Sequence, residues 1–191
     1  MDRIEVRYPA GARPGTLTYE DYCALPDDGL RYEVIEGCLF AEPSPRRAHQ
    51  QAAANLLMIL RGHVRARGLG EVYIAPFDVI LDRRTVVVPD LVFVARARAS
   101  IVTERAVEGV PDLIVEILSP TTTRRDRVAK LNAFARRGVA HYWLVDPDAR
   151  TLEALALAEG AYRVEAALEE DAVFRPRLFP DLEIPLPELR R

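Results

Sequence analysis

Lysine is almost missing from this chain. Of its 26 basic side chains, all are arginine except Lys130. Arginine is a planar fork that stays charged, whereas lysine is a compact point charge that adapts to burial, so the one lysine kept needs a reason. Cysteine is nearly as scarce. Cys23 and Cys38 follow no metal or redox spacing, which excludes a disulfide scaffold and points to a reducing compartment. Three histidines and two cysteines that never cluster argue against a zinc site. No run approaches the ~20 apolar residues of a membrane span, and Met1 to Pro9 lacks the apolar core of a signal peptide. The expectation is a cytoplasmic protein without membrane contact. No G-x-S-x-G, P-loop or Rossmann glycine pattern occurs; Gly68-Leu69-Gly70 reads as a helix stop.

What is present describes a soluble globular chain. Hydrophobic residues make up 49% and charged residues 29% of 191 residues, enough for one domain that buries about 70% of its unfolded surface. We expect a loosely ordered arm over residues 1–15, rich in Pro and Gly, and a single domain over 16–191. Thr18 with Glu20 and Asp21 opens a short helix that ends near Pro26. Arg31–Ile35 and Cys38–Glu42, joined by Glu36-Gly37, read as a hairpin. Ser44-Pro45 resembles a cap followed by Pro at the first helical position, and Ala53, Leu56, Leu57, Leu60 and Val64 repeat with helical period up to Gly68. Three β segments follow: Glu71–Leu81, Val86–Val94 and Asp112–Leu118. The link from Ala95 to Gly109 reads as partly helical. A helix capped by Thr121–Thr123, with Val128, Leu131 and Ala135 on one face, ends at Gly138. His141–Val145 is an apolar strand, and edge strands Leu152–Leu157 and Tyr162–Ala167 follow it. The pattern predicts an α/β fold: one mixed β-sheet core flanked by helices, with an N-terminal helix and hairpin and a C-terminal β meander.

Two carboxylates stand on aliphatic surfaces. Asp90 shares a strand face with Val88 and Val92, and Glu116 shares one with Ile114 and Leu118. An ionised carboxylate there is costly unless paired or bound to a cation. If neighbouring strands set the two face to face, they form a hard oxygen site suited to Mg²⁺ or Mn²⁺. The plainer alternatives are a turn aspartate at the break made by Pro89 and a buried glutamate paired with an arginine. Asp112 lies four residues before Glu116, about 13 Å along a strand, and cannot share one ion with it. Between Thr122 and Arg137 six cations, Arg124, Arg125, Arg127 and Lys130 among them, face one acid, Asp126. Such a run suits phosphate as well as it suits a solvated helix face. On a helical wheel Lys130 falls beyond the apolar stripe, beside Phe134 and Asp126, with which an ordinary i,i+4 pair is available. His49 points inward with Ala53, Leu56 and Leu60, as a core histidine does.

Asp90, Glu116 on a later strand and a nearby lysine together resemble the PD-(D/E)XK nuclease superfamily, the fold of type II restriction endonucleases. Several further segments are similar to the Uma-two family of restriction-endonuclease-like proteins: Tyr32-Glu33-Val34-Ile35-Glu36-Gly37, Ser44-Pro45 with His49, Pro89-Asp90-Leu91-Val92-Phe93-Val94, Pro111 to Pro120, Arg125-Asp126-Arg127 through Lys130 to Gly138, and Tyr142 to Pro147. The likeness runs in order from about Thr18 to Leu189. It implies a restriction-endonuclease-like core, a divalent metal, DNA as partner and a cytoplasmic location. Dimers are common among nucleases that cut both strands, so a homodimer is compatible with it. The superfamily pattern places lysine two residues after the glutamate, where this chain has Leu118; the family pattern moves the cation to the next helix, at Lys130. By resemblance His49 orients water or substrate, and Glu33, otherwise an exposed hairpin carboxylate, supports the site.

The leading expectation is a Mg²⁺-dependent endonuclease acting on DNA. Asp90 and Glu116 hold the metal, with the Ile117 carbonyl as third ligand; Lys130 stabilises the reacting charge; Arg124, Arg125 and Arg127 track the backbone. The rival is a nuclease-fold protein without turnover, serving as a nucleic-acid or protein binding module. The acidic total of −3 and the absence of a base-reading element favour the rival.

Overall fold

The computed structural model describes residues 13–42, 44–119 and 126–191. Residues 1–12 of the expected arm lie outside them, while Gly15 donates its N–H to the Gly37 carbonyl at 2.9 Å. Helix α1 (Tyr19–Cys23) starts at Thr18 with a capping box closed by Asp21, which satisfies two otherwise orphaned N–H groups. Strands β1 (Arg31–Ile35) and β2 (Cys38–Glu42) form the expected hairpin. Its Glu36-Gly37 turn has positive φ at both positions, as a two-residue hairpin loop requires. Helix α2 (Arg47–Arg67) begins two residues later than Ser44-Pro45 suggested, with Arg46 as N-cap. It ends where expected, at Gly68 in the left-handed conformation, which costs a residue without Cβ little.

The sequence suggested one sheet; the described residues form two large ones and a short two-stranded pair. Segment 71–81 breaks into β3 (Gly70–Ile74) and β4 (Asp78–Asp82), and segment 86–94 into β5 (Thr85–Val87) and β6 (Leu91–Ala95). A six-stranded sheet has the order β11-β10-β9-β8-β6-β3 and a five-stranded sheet the order β2-β1-β5-β4-β7. Here β7 is Ala106–Glu108, β8 Leu113–Ile117, β9 His141–Asp146, β10 Thr151–Ala158 and β11 Ala161–Glu169. These two segments therefore each cross directly from one sheet to the other, at residues 75–77 and 88–90. Each crossing contains a proline, Pro76 or Pro89, which cannot donate to a ladder. The crossings lie side by side, for the Ala75 N–H donates to the Asp90 carbonyl at 3.1 Å. The link after β6 is partly helical as expected, through a 3₁₀ segment at Arg96–Ile101. β10 is an inner strand, so only β11 forms the edge of the meander. A short pair, β12 (Val173–Phe174) with β13 (Ile184–Pro185), leads to a C-terminal 3₁₀ turn.

Alternation along the six-stranded sheet feeds two cores. Leu113, Val115 and Ile117 face Leu56, Leu60 and Val64 of α2 together with Phe174 and Phe179 of the tail. Ile114 and Leu118 face the other way, toward Val79 and Val87 of the five-stranded sheet. That side also receives Ala133 and Phe134 of helix α3 (Leu131–Arg137). Each such buried aliphatic side chain contributes about 1.5–3 kcal/mol. No helix among the described residues is long and apolar enough to cross a membrane.

Two half-buried phenols give the fold an alkaline limit. Tyr22 donates to Asp78 Oδ1 at 3.0 Å and Tyr162 to the Val139 carbonyl at 2.8 Å. Burial, reinforced at Tyr22 by the Asp78 charge, pushes both phenols above their usual value. The folded state then keeps protons that the unfolded chain releases above pH ~10, so stability falls as pH rises past that point. We expect tyrosinate absorbance from these two residues only together with unfolding. Tyr162→Phe should flatten the alkaline arm of a plot of urea midpoint against pH; an unaltered arm would count against this origin.

Candidate active site

Five segments converge where the chain passes from one sheet to the other. Strand β1 presents Arg31, Glu33 and Ile35 on one face, because side chains alternate along a strand. Ile35 enters the core, the Glu33 side chain is 1% exposed, and that of Arg31 is 25% exposed. The face thus descends from a solvent-reaching cation through a buried carboxylate to an aliphatic floor. On β8, Glu116 follows Ile114 on the core face and is 4% exposed. Asp90, also 4% exposed, sits in the crossing just before β6. The β6–β8 register pairs Leu91 with Val115; continued one step, it sets Asp90 directly opposite Glu116. Cross-strand neighbours of this kind have Cβ atoms about 4.5–5.5 Å apart.

The lysine closes the cluster. Lys130 is fully buried, and its Nζ donates to Glu116 Oε1 at 2.7 Å and to Glu33 Oε1 at 3.0 Å. Glu33 Oε1 also accepts the Val88 N–H at 2.9 Å. An ammonium leaves water at this depth only when charge-assisted hydrogen bonds compensate its desolvation. The helical wheel misplaced this region. Residues Asp126–Lys130 form a π turn rather than α-helix, whose wider i→i+5 spacing shifts the register. Val128, expected in the core, is 59% exposed, and Lys130 takes the inward position instead. The Asp126 side chain, with which a surface pair had been open to Lys130, lies outside the described residues. So do Arg124, Arg125 and the side chain of Arg127, the expected backbone contacts.

Asp90 is held from several sides. Its Oδ2 accepts the Ile117 N–H at 2.7 Å and lies 3.1 Å from His49 Nε2. Its Oδ1 is 3.8 Å from Arg31 Nη1. His49 therefore leaves α2 toward the site, although its Nδ1 is buried without a hydrogen-bond partner. Within a strand the N–H and C=O of one residue point to the same side, so the Ile117 carbonyl also faces the Asp90 side of β8. Asp112 belongs to other work: it accepts the Ala95 N–H at 2.7 Å and pairs with Arg98 at 3.1 Å, which fastens the 3₁₀ link. His63 packs edge-on to Phe179 at 6.1 Å, and His141 lies 3.8 Å from Glu165; neither is among these contacts.

The structure thus brings together Asp90, Glu116, Lys130, Glu33, His49 and Ile117 of the residues singled out by sequence. It adds two groups that sequence reasoning missed. One is the Val88 N–H, which had no signal. The other is Arg31, whose place on the same strand face as Glu33 could be read from alternation, although its closeness to Asp90 could not.

Among the described side chains, three carboxylates, Glu33, Asp90 and Glu116, against two cations, Lys130 and Arg31, leave one negative charge when His49 is neutral. That balance favours one more cation. Among the described residues no three His, Cys, Asp or Glu side chains gather as a complete ligand set. The donors on offer are two opposed carboxylates and a backbone carbonyl, a sparse, hard set that suits an ion retaining several waters, as Mg²⁺ does. The residues fit such an ion and suit a soft metal poorly.

Comparison with known proteins agrees with this architecture. Residues 19–187 match the sequence model of the Uma2 family, described as "Putative restriction endonuclease". The fold is similar to the crystal structure of a putative nuclease belonging to DUF820 from Anabaena variabilis, at a TM-score of 0.75 and 20% identity, over 91% of this chain and 97% of that one. No curated protein matches the sequence.

Proposed function

Since this chain belongs to the Uma2 family of restriction-endonuclease-like proteins, we propose that it is a Mg²⁺- or Mn²⁺-dependent endonuclease that hydrolyses phosphodiester bonds in DNA. The observation that carries this reading is the buried triad in which Lys130 bridges Glu116 and Glu33 while Asp90 stands across from Glu116. Asp90 and Glu116 would hold the ion, with the Ile117 carbonyl as third ligand. When bound, such an ion supplies Lewis acidity and makes water acidic enough to serve as a nucleophile near neutral pH.

The chain's own residues supply the rest. Glu33, fixed by the Val88 N–H, aims the Lys130 ammonium at the Glu116 side of the site. From there the ammonium's charge would stabilise the attacking water or the charge developing on the phosphate, in a position that needs no reorganisation. His49 and the Ile117 N–H keep the Asp90 carboxylate from rotating. Arg124, Arg125 and Arg127 would follow the DNA backbone, contacts that position without reading sequence. The cytoplasm is the compartment proposed for this activity, and a homodimer would offer two sites to two strands.

A second reading has one observation behind it. Lys130 already places a cation against Glu116, so the cluster could be a self-sufficient salt network in a binding module without turnover. Titration calorimetry separates the two. The endonuclease reading expects heat of Mg²⁺ or Mn²⁺ binding at or below millimolar concentration and metal-dependent nicking of plasmid DNA. Absence of both leaves the accessory reading standing alone.

A further inference from the structure

Lys130 is sealed from solvent, so it cannot be the group that first meets an incoming phosphate. Arg31 can. Its side chain keeps a quarter of its surface exposed while its guanidinium lies 3.8 Å from Asp90 Oδ1. That separation is a charge contact and too long for a hydrogen bond. Arg31 shares its strand face with Glu33, so the strand that anchors the buried lysine also carries the outer cation. The two cations of the site differ in chemistry as they differ in depth. The compact ammonium is inside, and the planar fork that matches phosphate oxygens bidentately is at the rim.

We propose that Arg31 is the substrate-binding cation of this site and contacts a phosphodiester oxygen of the nucleic-acid strand. The proposal rests on the nucleic-acid reading of the site and not on turnover. Charge supports it: among the described side chains, and with His49 neutral, the five charged groups sum to one negative charge, a divalent ion makes that one positive, and a phosphodiester restores neutrality. In this scheme Arg31 does two opposite things. Beside Asp90 it competes with the metal, and toward the strand it attracts phosphate. A purely structural ion pair with Asp90 would do neither in this combination.

Arg31→Gln and Arg31→Lys test it, with Mn²⁺ titrated calorimetrically and binding to a fluorescent DNA duplex followed at several salt concentrations with and without Mn²⁺. For Arg31→Gln we expect Mn²⁺ affinity unchanged or up to about tenfold tighter, because a repelling charge is gone. DNA affinity should fall about tenfold, with the salt slope reduced by about one phosphate contact. Arg31→Lys should regain the salt slope and only part of the affinity, since it keeps the charge and loses the fork. DNA affinity equal to wild type in Arg31→Gln overturns the proposal, as does loss of Mn²⁺ binding together with a lowered urea midpoint. Wild type that binds DNA without cutting it, alongside a weakened Arg31→Gln, sustains this proposal and removes the endonuclease reading. Wild type that binds no DNA removes both.

Discussion

Lys130→Met is expected to cost the fold about 3–5 kcal/mol, the usual penalty for leaving a buried charge without its partner, and to abolish metal-dependent cleavage. Methionine nearly fills the same volume, so packing changes little and the effect is electrostatic. Without the ammonium, Glu33 and Glu116 remain as two buried carboxylates that have lost the cation they share. One of them must then take up a proton. The folded mutant therefore binds a proton that the unfolded chain, with ordinary glutamates, releases above pH ~4.3. Its stability deficit is largest at neutral pH and shrinks as pH falls toward that value. Urea denaturation between pH 4 and pH 8 measures it. Adding Glu33→Gln to Lys130→Met removes one of the stranded charges and should return part of the stability without any activity. A Lys130→Met protein as stable as wild type at pH 7 would falsify the buried bridge.

The same geometry explains why one lysine survives in an arginine-rich chain. The space between Glu33 and Glu116 takes a tetrahedral ammonium with one donor at 2.7 Å and another at 3.0 Å. A guanidinium there would be larger and its donors confined to a plane, so Lys130→Arg keeps the charge but overpacks the pocket, at about 1–3 kcal/mol. Rarity was thus a usable signal in the sequence, whereas the helical wheel was misleading. The wheel assumed an α-helical period through Asp126–Lys130, and a π turn occupies that stretch. Local chemistry was legible where it is short-ranged: the capping box at Thr18, the Glu36-Gly37 turn and the glycine stops at 68 and 138 all follow from residues that touch in sequence. The division of segments 71–81 and 86–94 between two sheets was not. Pro76 and Pro89 announce a break, but whether a broken strand rejoins the same sheet depends on partners far away in the chain.

The candidate site shows the same boundary between local and distant information. Strand alternation set Asp90 and Glu116 each on an aliphatic strand face, and the β6–β8 register, continued one step past Leu91 and Val115, sets them across from each other. The Glu33 carboxylate came only from resemblance, because nothing local distinguishes a buried hairpin glutamate from an exposed one. Its burial depends on Val88 in the crossing after β5 and on Lys130, 97 residues away.

Asp90→Asn and Asp90→Ala should both lose metal-dependent nicking by about 10³-fold or more, yet they should differ in stability. Asp90 has two separable tasks. Its negative charge faces Glu116 and is the part an ion needs. Its Oδ2 also accepts the buried Ile117 N–H at 2.7 Å, and that task needs only an acceptor. Asparagine can keep the carbonyl oxygen in place and lose the charge, so Asp90→Asn should unfold within about 1 kcal/mol of wild type while Mn²⁺ affinity collapses. Alanine removes both. It leaves the Ile117 N–H unsatisfied beside β8, at a further cost of about 1–3 kcal/mol, and frees His49 from its neighbour. Equilibrium denaturation, Mn²⁺ calorimetry and plasmid nicking on the two variants make the separation measurable. If Asp90→Asn still nicks DNA in Mn²⁺, the carboxylate is only a clamp for the strand end, and the metal assignment falls with it. If the asparagine variant is silent and stable while alanine is silent and destabilised, the charge of Asp90 serves the chemistry and its oxygen serves the fold.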